Sequence, residues 1–462
     1  MSVSTFLGIE TTLRGLLAQQ RSLDVTGHNI SNANTVGYSR QEADLTTSTP
    51  LTVAPGKLLG TGVDVVSYKR IRDSFLDVQL RAQTMLKGSA DAKQDGLDQV
   101  EGVLSEPSDT GLSSLLNKYW AAWQTVSSGT EDPATRTALV EAAKGLTDGL
   151  NNLSRQLSTI QDQTAQNAQL TVDDINATGK QIRDLNDAIY KANAMGETPN
   201  DLLDQRDLLL DKLGTLGSVA TTDNGDGTIK VTFDGVTLVQ DHITAQTLTE
   251  SGGTLTNDAV PPESATIDPA FGKLGALVQL RDVTLSNTNP QGYGYQLNQV
   301  ASALITQTNA LHRTGYGLDG STGVDFFSGT DASNIGVSVQ PMQVAAASAP
   351  GKTGDVTNAI ALANLQTTAV ASLGGSTIDR AYAQLVTRIG SDSQDATRSA
   401  SNASVLVDSL TNRRESVSGV SIDEEMTNLV KFQRAYQASA RAMNAMDDML
   451  ELLITRTGRA GL

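Results

Sequence analysis

Apolar residues near the start of the chain recur at alternating three- and four-residue steps. Phe6, Ile9, Leu13, Leu16, Leu23 and Ile30 follow this spacing, with Gln20 and Gly27 filling two register positions. Heptad spacing makes a narrow seam rather than a broad globular face, so it predicts a coiled-coil helix over about 4–33. The end of the chain repeats the pattern through Leu429, Phe432, Tyr436, Ser439, Met443, Met446, Leu450 and Leu453. Ser421 with Glu424 three residues later reads as a capping box for this second helix. Gly419 reads as a left-handed cap that closes the helix before it. That helix is predicted from Thr377 to Val417, with Ile378, Tyr382, Leu385, Ile389, Ala396 and Leu406 on one side.

The middle of the chain continues in helical periods. Helices are predicted over 72–104 and 111–126, and a run opened by Pro133 extends through Ile160 to Ile189, roughly sixty residues. A run this long implies a rod-like bundle. A shorter helix doubles back after Pro199. Near Ser218 the period changes to alternation of apolar and polar residues in "GTIKVTFDGVTLVQ", bracketed by the turn pairs Asn224-Gly225 and Asp234-Gly235, which predicts paired strands. Helical pattern resumes in "LGALVQLRDVTL" and "YQLNQVASALITQTNALH", and a loop-and-strand section covers 324–350. The outline is mainly α: a long helical bundle or coiled-coil rod formed by both chain termini, with a small inserted β domain. Its segments are 1–75, 76–217, 218–270, 271–417 and 418–462, in which the first and last belong together, as do the second and fourth.

Composition narrows the chemistry. The chain has no cysteine, which removes disulfides, thiolate nucleophiles and Cys-ligated zinc. The three histidines, His28, His242 and His312, show no metal-ligand spacing, so no metal or other cofactor is expected. No apolar run is long enough to span a membrane, and the first residues lack the pattern of a cleavable signal. Of the net charge of −17, residues 91–410 hold −19, the first 90 hold +2 and the last 52 are neutral. An acidic middle argues against nucleic acid as a partner and for a middle that faces water.

The densest cluster of polar side chains is "DVTGHNISNANTVGYS", residues 24–39. His28 near Asp24 and Ser31 has the makings of a triad, but no strand-turn-helix elbow flanks it. The competing reading is a structural bend in which Asn29, Asn32, Asn34, Gly37 and Tyr38 end the helix, with asparagines satisfying the backbone and Gly37 permitting positive φ. "DNGDG" (223–227) lacks oxygen ligands at two positions of a calcium loop. "GYGLDGSTGVDFF" (315–327) lacks the lysine of a phosphate-binding loop. His242 beside Asp241 is the only candidate pair in the β insert. None of these makes a catalytic site, and no enzyme is expected.

"ISNANTVGYSRQEADL" after a heptad helix resembles the N-terminal signature of bacterial flagellar axial proteins. "SGVSIDEEMTNLVKFQRAYQASARAMNAMDDMLELLI" is similar to their C-terminal signature. The long helix, "GKLGALVQLRDVTL", "ASALITQTNALHRTGYGLDGSTGVDFF" and "STIDRAYAQLVTRIG" further resemble the hook-associated protein 1 (FlgK) family. The resemblance covers nearly the whole chain, most weakly the β insert, and leaves no room for the additional outer domain of longer members. It implies a structural component of the hook-filament junction that self-assembles into a ring or helical oligomer. The implied partners are the hook protein, the second hook-filament junction protein, and the flagellar export chaperone and export apparatus. It also implies an extracellular place in the flagellum, reached through the flagellar secretion channel. A different axial protein, an enzyme built on an axial frame and a cytoplasmic coiled-coil signalling protein are the competing readings. The heptad residues of both terminal helices are then expected to form the assembly seam, with the polar cluster as the bend that follows the inner helix.

Overall fold

The computed structural model describes residues 6–54, 57–104 and 106–457. Helix α1, Leu7–Asn32, leads through a bend into the paired strands β1 (Gln41–Thr47) and β4 (Val63–Arg70), with β2 (Leu51–Ala54) and β3 (Lys57–Leu59) as a smaller hairpin between them. The segment after the bend thus pairs with itself, Gln41 opposite Arg70. Four helices follow: α2 (Ser74–Leu104), α3 (Leu112–Ser128), α4 (Pro133–Ala194) and α5 (Asn200–Leu216).

Helix α4 is the spine. Its start is set by local chemistry: Asp132 accepts a hydrogen bond from the Ala134 N–H, and Pro133 occupies a position that needs no donor. Its 62 residues span about 93 Å at ~1.5 Å each. A single helix of this length borders two separate cores. Toward its start, Leu139, Leu146, Leu150 and Leu157 pack in one core with Tyr119, Trp120 and Trp123 of α3. Phe326 and Phe327 join that core edge-on, their centroids 4.8 Å apart. Toward its end, Ala168, Val172, Ile175 and Ile182 belong to a second core that includes Phe233, Leu238 and Leu255 of the β insert.

The insert consists of two antiparallel three-stranded sheets. In the first, β5 (Val219–Asp223), β6 (Ile229–Phe233) and β7 (Val236–Val239) lie in sequence order. In the second, β9 (Thr254–Asn257) lies between β8 (Leu248–Ser251) and β10 (Ser264–Thr266). The Asp223 carboxylate accepts from the Gly225 N–H, and Asp226 accepts from the Thr228 N–H and hydroxyl, so both acids of "DNGDG" are spent on their own turn. The chain returns to the rod through α6 (Gly272–Gln279), a π-helical turn (Leu280–Thr284) and α7 (Tyr293–His312). After short strands β11 (Phe327–Ser328) and β12 (Gly336–Val337) come α8 (Thr357–Ala363), α9 (Ile378–Ser418) and α10 (Ile422–Thr457).

His312 is structural. Its Nε2 accepts from the Ala345 N–H, so Nδ1 carries the hydrogen that bonds the Val324 carbonyl at 2.7 Å. Burial holds its pKa below the usual histidine value, consistent with a neutral ring.

Three local expectations change. Gly419 is extended (φ −69°, ψ 157°) rather than left-handed, and it is glycine-sized because a Cβ would lie 2.3 Å from the Glu415 carbonyl oxygen. Ser421 caps Glu424 from 3.5 Å, but the Glu424 carboxylate turns to Arg40 instead of closing the capping box. Leu406 is 51% exposed, because the buried face of α9 in this stretch is carried by Ala396, Ala400 and Ala403.

Two glycines test the packing. A Cβ on Gly88 would stand 2.1 Å from the Thr215 carbonyl oxygen, where α2 meets α5, whereas Gly390 in α9 faces open space. Gly88→Ala should cost about 1–3 kcal/mol, while Gly390→Ala should gain about 0.5–1 kcal/mol. Urea denaturation of the two variants checks this, and the opposite order would mean that α2 and α5 are not in this contact.

Candidate functional site

Helices α1 and α10 run antiparallel in a fixed register. A Cβ on Gly8 would lie 3.0 Å from the Met446 sulfur, and one on Gly15 would lie 3.6 Å from the Ser439 hydroxyl. Asn29 donates to the Glu425 carboxylate at 3.1 Å. These pairs advance by heptads in opposite directions, and the same register sets Ser22 opposite Phe432. The buried positions of α1 are accordingly small or polar: Ala18, Ser22, Thr26 and Asn29. Ser22 bonds the Ala18 carbonyl and Thr26 the Ser22 carbonyl, both at 2.9 Å. Each hydroxyl is satisfied within its own helix, leaving carbon to face α10.

The two predicted stripes are placed differently within the chain. On α10, Leu429, Phe432, Tyr436, Met443, Met446 and Leu450 are all half-buried, on the stripe that carries Ser439 to α1. The Leu453 side chain lies outside the described residues. On α1 the apolar heptad does not face α10. Leu13 is 40% exposed and sits two residues, about 200°, around the helix from Gly15. Phe6 is exposed as well, and Leu17 is 44% exposed. Ile9, Leu16, Leu23 and Ile30 lie half-buried along the flank. The reason is spacing: glycine, alanine and serine let the helices approach closely, and bulkier residues in that seam would hold them apart.

At the bend, Asn29 is the centre. Its side chain is 1% exposed, donates to the Gln41 carbonyl at 2.9 Å and accepts from the Gln41 N–H at 3.0 Å. It therefore pairs with the first residue of β1 as a neighbouring strand would. The Tyr38 hydroxyl donates to the same Asn29 oxygen at 2.8 Å and lies 3.0 Å from His28 Nδ1. Burial, and then the charges of Asp201, Asp204 and Glu425, push the Tyr38 phenol far above its ordinary value. Asn32 closes the helix end by donating to the His28 carbonyl and accepting from the Thr35 hydroxyl. Gly37 has φ +83° and rests against Leu208. Asn34 is exposed and makes no side-chain hydrogen bond among the described residues. The turn's asparagine is Asn32 instead, because only it lies a helical turn beyond the His28 carbonyl.

His28 is not part of a triad. Its Nε2 lies 3.4 Å from Asp201, while the Ser31 hydroxyl bonds the Gly27 carbonyl.

Sequence reading missed the clamp below the bend. Asp201, Asp204, Asp207 and Asp211 recur at helical spacing along α5. Asp204, nearly buried, accepts from the Ser39 N–H (2.9 Å), the Ser39 hydroxyl (2.8 Å) and Arg70 (2.8 Å). Asp207 takes Arg70 at 2.8 Å and Arg72 at 2.5 Å. Asp211 takes Arg81 of α2 and, at 2.7 Å, Arg414 of α9. Arg40 adds a bond from its N–H to the Ser418 carbonyl at 2.8 Å. One acidic helix face thus ties the bend, the hairpin, α2 and α9 together. The acidic period in "DLLDQRDLLLD" and the basic "KRIR" at 69–72 were its legible signals.

Comparison with known proteins places this geometry. The model described as flagellar hook-associated protein FlgK helical domain matches residues 97–327. The terminal helices match separate models, flagella basal body rod protein over 9–38 and flagellar basal body rod FlgEFG protein C-terminal over 414–456. The chain is 31% identical to flagellar hook-associated protein 1 of Bacillus subtilis, covering 99% of each. It is 26% identical to the protein of that name from Escherichia coli, covering 96% of this chain and 99% of that one. The Bacillus alignment spans 512 positions against 462 residues here, so the relative carries additional internal residues. The solved flagellar hook junction protein FlgK from Burkholderia pseudomallei shares the fold, with a TM-score of 0.65 at 17% identity over 74% of this chain and all of that one. With a full-length relative above 30% identity and a helical-domain match across half its length, the chain belongs to the flagellar hook-associated protein 1 (FlgK) family.

Proposed function

We propose that this chain is a structural subunit of the bacterial flagellum that forms the layer joining hook to filament, and that it assembles through the outward faces of its paired terminal helices. The observation that carries the assembly reading is the mismatch on α1: its small residues face α10, and Leu13 and Leu17 are left in water. Helix α10 likewise exposes Met426, Val430, Met449, Leu452 and Ile454. Fully burying each such side chain is worth about 1.5–3 kcal/mol, which neighbouring copies would recover. Two different exposed faces on one subunit favour a head-to-tail contact, which closes into a ring or propagates as a helix. In this reading 1–75 and 418–462 form the inner layer of a tube, 76–217 with 271–417 the rod outside it, and 218–270 the outer tip.

The finer partners follow from the same reading. The hook protein and the second hook-filament junction protein would present matching terminal helices above and below the layer. The export chaperone and export apparatus would handle the subunit before assembly, and passage through the flagellar secretion channel would take it outside the cell. Support for these is the family and the two exposed terminal faces.

Leu13→Asp tests the seam. The substitution puts a charge where a neighbour should pack but leaves the α1–α10 contact untouched, so purified monomer should keep its helix content by circular dichroism while filaments fail to form on cells. Gly15→Leu should instead open the pair itself and lower helix content. Normal filaments on Leu13→Asp cells would rule out this face as the contact.

The bend makes a second, ranked prediction. Asn29→Leu strands both backbone groups of Gln41 and should be the most damaging, at about 1–3 kcal/mol for each group left unpaired. Gly37→Val should come next, at about 1–3 kcal/mol of backbone strain, and His28→Ala and Asn34→Leu should leave swimming nearly intact. Swimming assays on the four single variants read the order, and a non-motile His28→Ala beside a motile Asn29→Leu would overturn the structural reading of the cluster.

A further inference from the structure

The β insert is joined to the rod by two chain crossings, and they touch. The outgoing crossing runs through Gly217 and Ser218 between α5 and β5, and the returning one through Asp268–Phe271 into α6. A Cβ on Gly272 would lie 2.2 Å from the Gly217 Cα, so the crossings meet backbone to backbone. The Phe233 ring fills the space beside Gly217, and Ser89 of α2 donates to the Pro269 carbonyl at 2.8 Å.

Asp234 fastens this neck. It occupies the β6–β7 turn with φ +46°, and it grips the outgoing strand at both backbone groups of Ser218. The Asp234 N–H donates to the Ser218 carbonyl at 2.7 Å, and its Oδ1 accepts from the Ser218 N–H at 3.3 Å. The residue is only 7% exposed, and its Oδ2 is buried with no hydrogen-bond partner. No arginine or lysine forms an ion pair with it among the described residues. The charged group that acts on it is another acid, Asp268 of the returning crossing. Lys93 of α2 is half-buried, and its charge acts on Asp268.

A buried carboxylate with one orphaned oxygen and a second carboxylate nearby is strongly disfavoured in its charged form. We propose that Asp234 is a proton-dependent fastener of the neck: protonated, it holds the outgoing crossing at Ser218 against the β6–β7 turn, and ionised, it loosens that crossing.

The sign follows from linkage. Burial, reinforced by Asp268, raises the Asp234 carboxyl to about 7 in the closed neck, whereas an exposed aspartate releases its proton near 4. The closed neck is therefore favoured fully below about pH 4, and that preference is lost as pH rises to about 7. Above that, closed and open forms are both ionised and the dependence levels off. The effect is independent of the terminal-helix assembly, which involves neither the neck nor the insert.

Amide hydrogen exchange on the full chain tests this between pH 5 and 8, with rates corrected for intrinsic exchange. Protection factors over 218–236 should fall by up to about tenfold per pH unit between 5 and 7 and then flatten. In Asp234→Asn, which keeps the acceptor and suits the turn, they should stay level across the range. Asp268→Asn retains the fastener but removes its negative neighbour, so its fall should move to lower pH; this variant carries the test if Asp234→Asn does not fold. A level wild-type profile, an equal fall in Asp234→Asn, or an unmoved window in Asp268→Asn would each overturn the proposal.

Discussion

The close approach of α1 to α10 at Gly8 and Gly15 is the constraint from which the rest of the terminal pair follows. At Gly8 the end of the Met446 side chain reaches to 3.0 Å of where a Cβ would stand, and at Gly15 the Ser439 hydroxyl lies 3.6 Å from it. A helix that spends its small residues on its partner must turn its large ones elsewhere. Leu13 and Leu17 consequently point to solvent, while α10 commits Phe432, Tyr436, Met443 and Met446 inward. The asymmetry matters physically. Had both helices met through their large residues, the pair would have hidden its apolar surface and had little reason to join another. Close packing inside the subunit and unspent apolar surface outside it are two results of one choice of residues.

Such a pair is useful only if its direction relative to the rod is fixed. Asn29 does this at the level of the backbone, by treating Gln41 as a strand partner, and it does so from a helix position that also reaches Glu425 of α10. Behind it, Asp204 holds Ser39 and Arg70 in a nearly buried setting, where charge-assisted hydrogen bonds are strong and cannot be given up cheaply. Asp211 then brings Arg81 and Arg414 together from α2 and α9. Helix α5 is thereby the fixed point to which both chain ends are referred, although it belongs to neither.

Much of this was legible in the sequence, and the exceptions share a cause. Helix periods located the long elements well: Pro133 and Asp132 start α4 by chemistry that is local, and the insert announced itself through alternation and its Asn-Gly and Asp-Gly turns. On α10 the large heptad residues are the ones that lie half-buried, along the stripe that meets α1. On α1 the apolar stripe lies on a different face from the one that meets α10, for the converse reason. Apolar periodicity reports where large hydrophobic residues lie, and in α1 the contact is made by Gly8, Gly15, Ala18 and Ser22, which carry almost no hydropathy signal. Asn29 was named among the bend's asparagines but not as its centre, since turn statistics weigh the nearest backbone and Asn29 works through Gln41 and, at the far end of the chain, Glu425. The aspartates of α5 were visible as a period but not as a clamp, because a stripe of acids is ordinarily a solvated face until the arginines opposite it are known.

The length of α4 completes the argument. A shorter helix could have supported either the aromatic core around Trp120 and Trp123 or the core shared with the β insert, but not both in line. With both on one spine, a displacement of the insert and one of the rod are referred to the same rigid element. The chain itself joins the two at the neck, where it crosses twice without helix and where glycines bring the crossings into contact. Two crossings in backbone contact leave no room for a side chain there, so the join of insert to rod depends on glycine as well as on the core shared with α4.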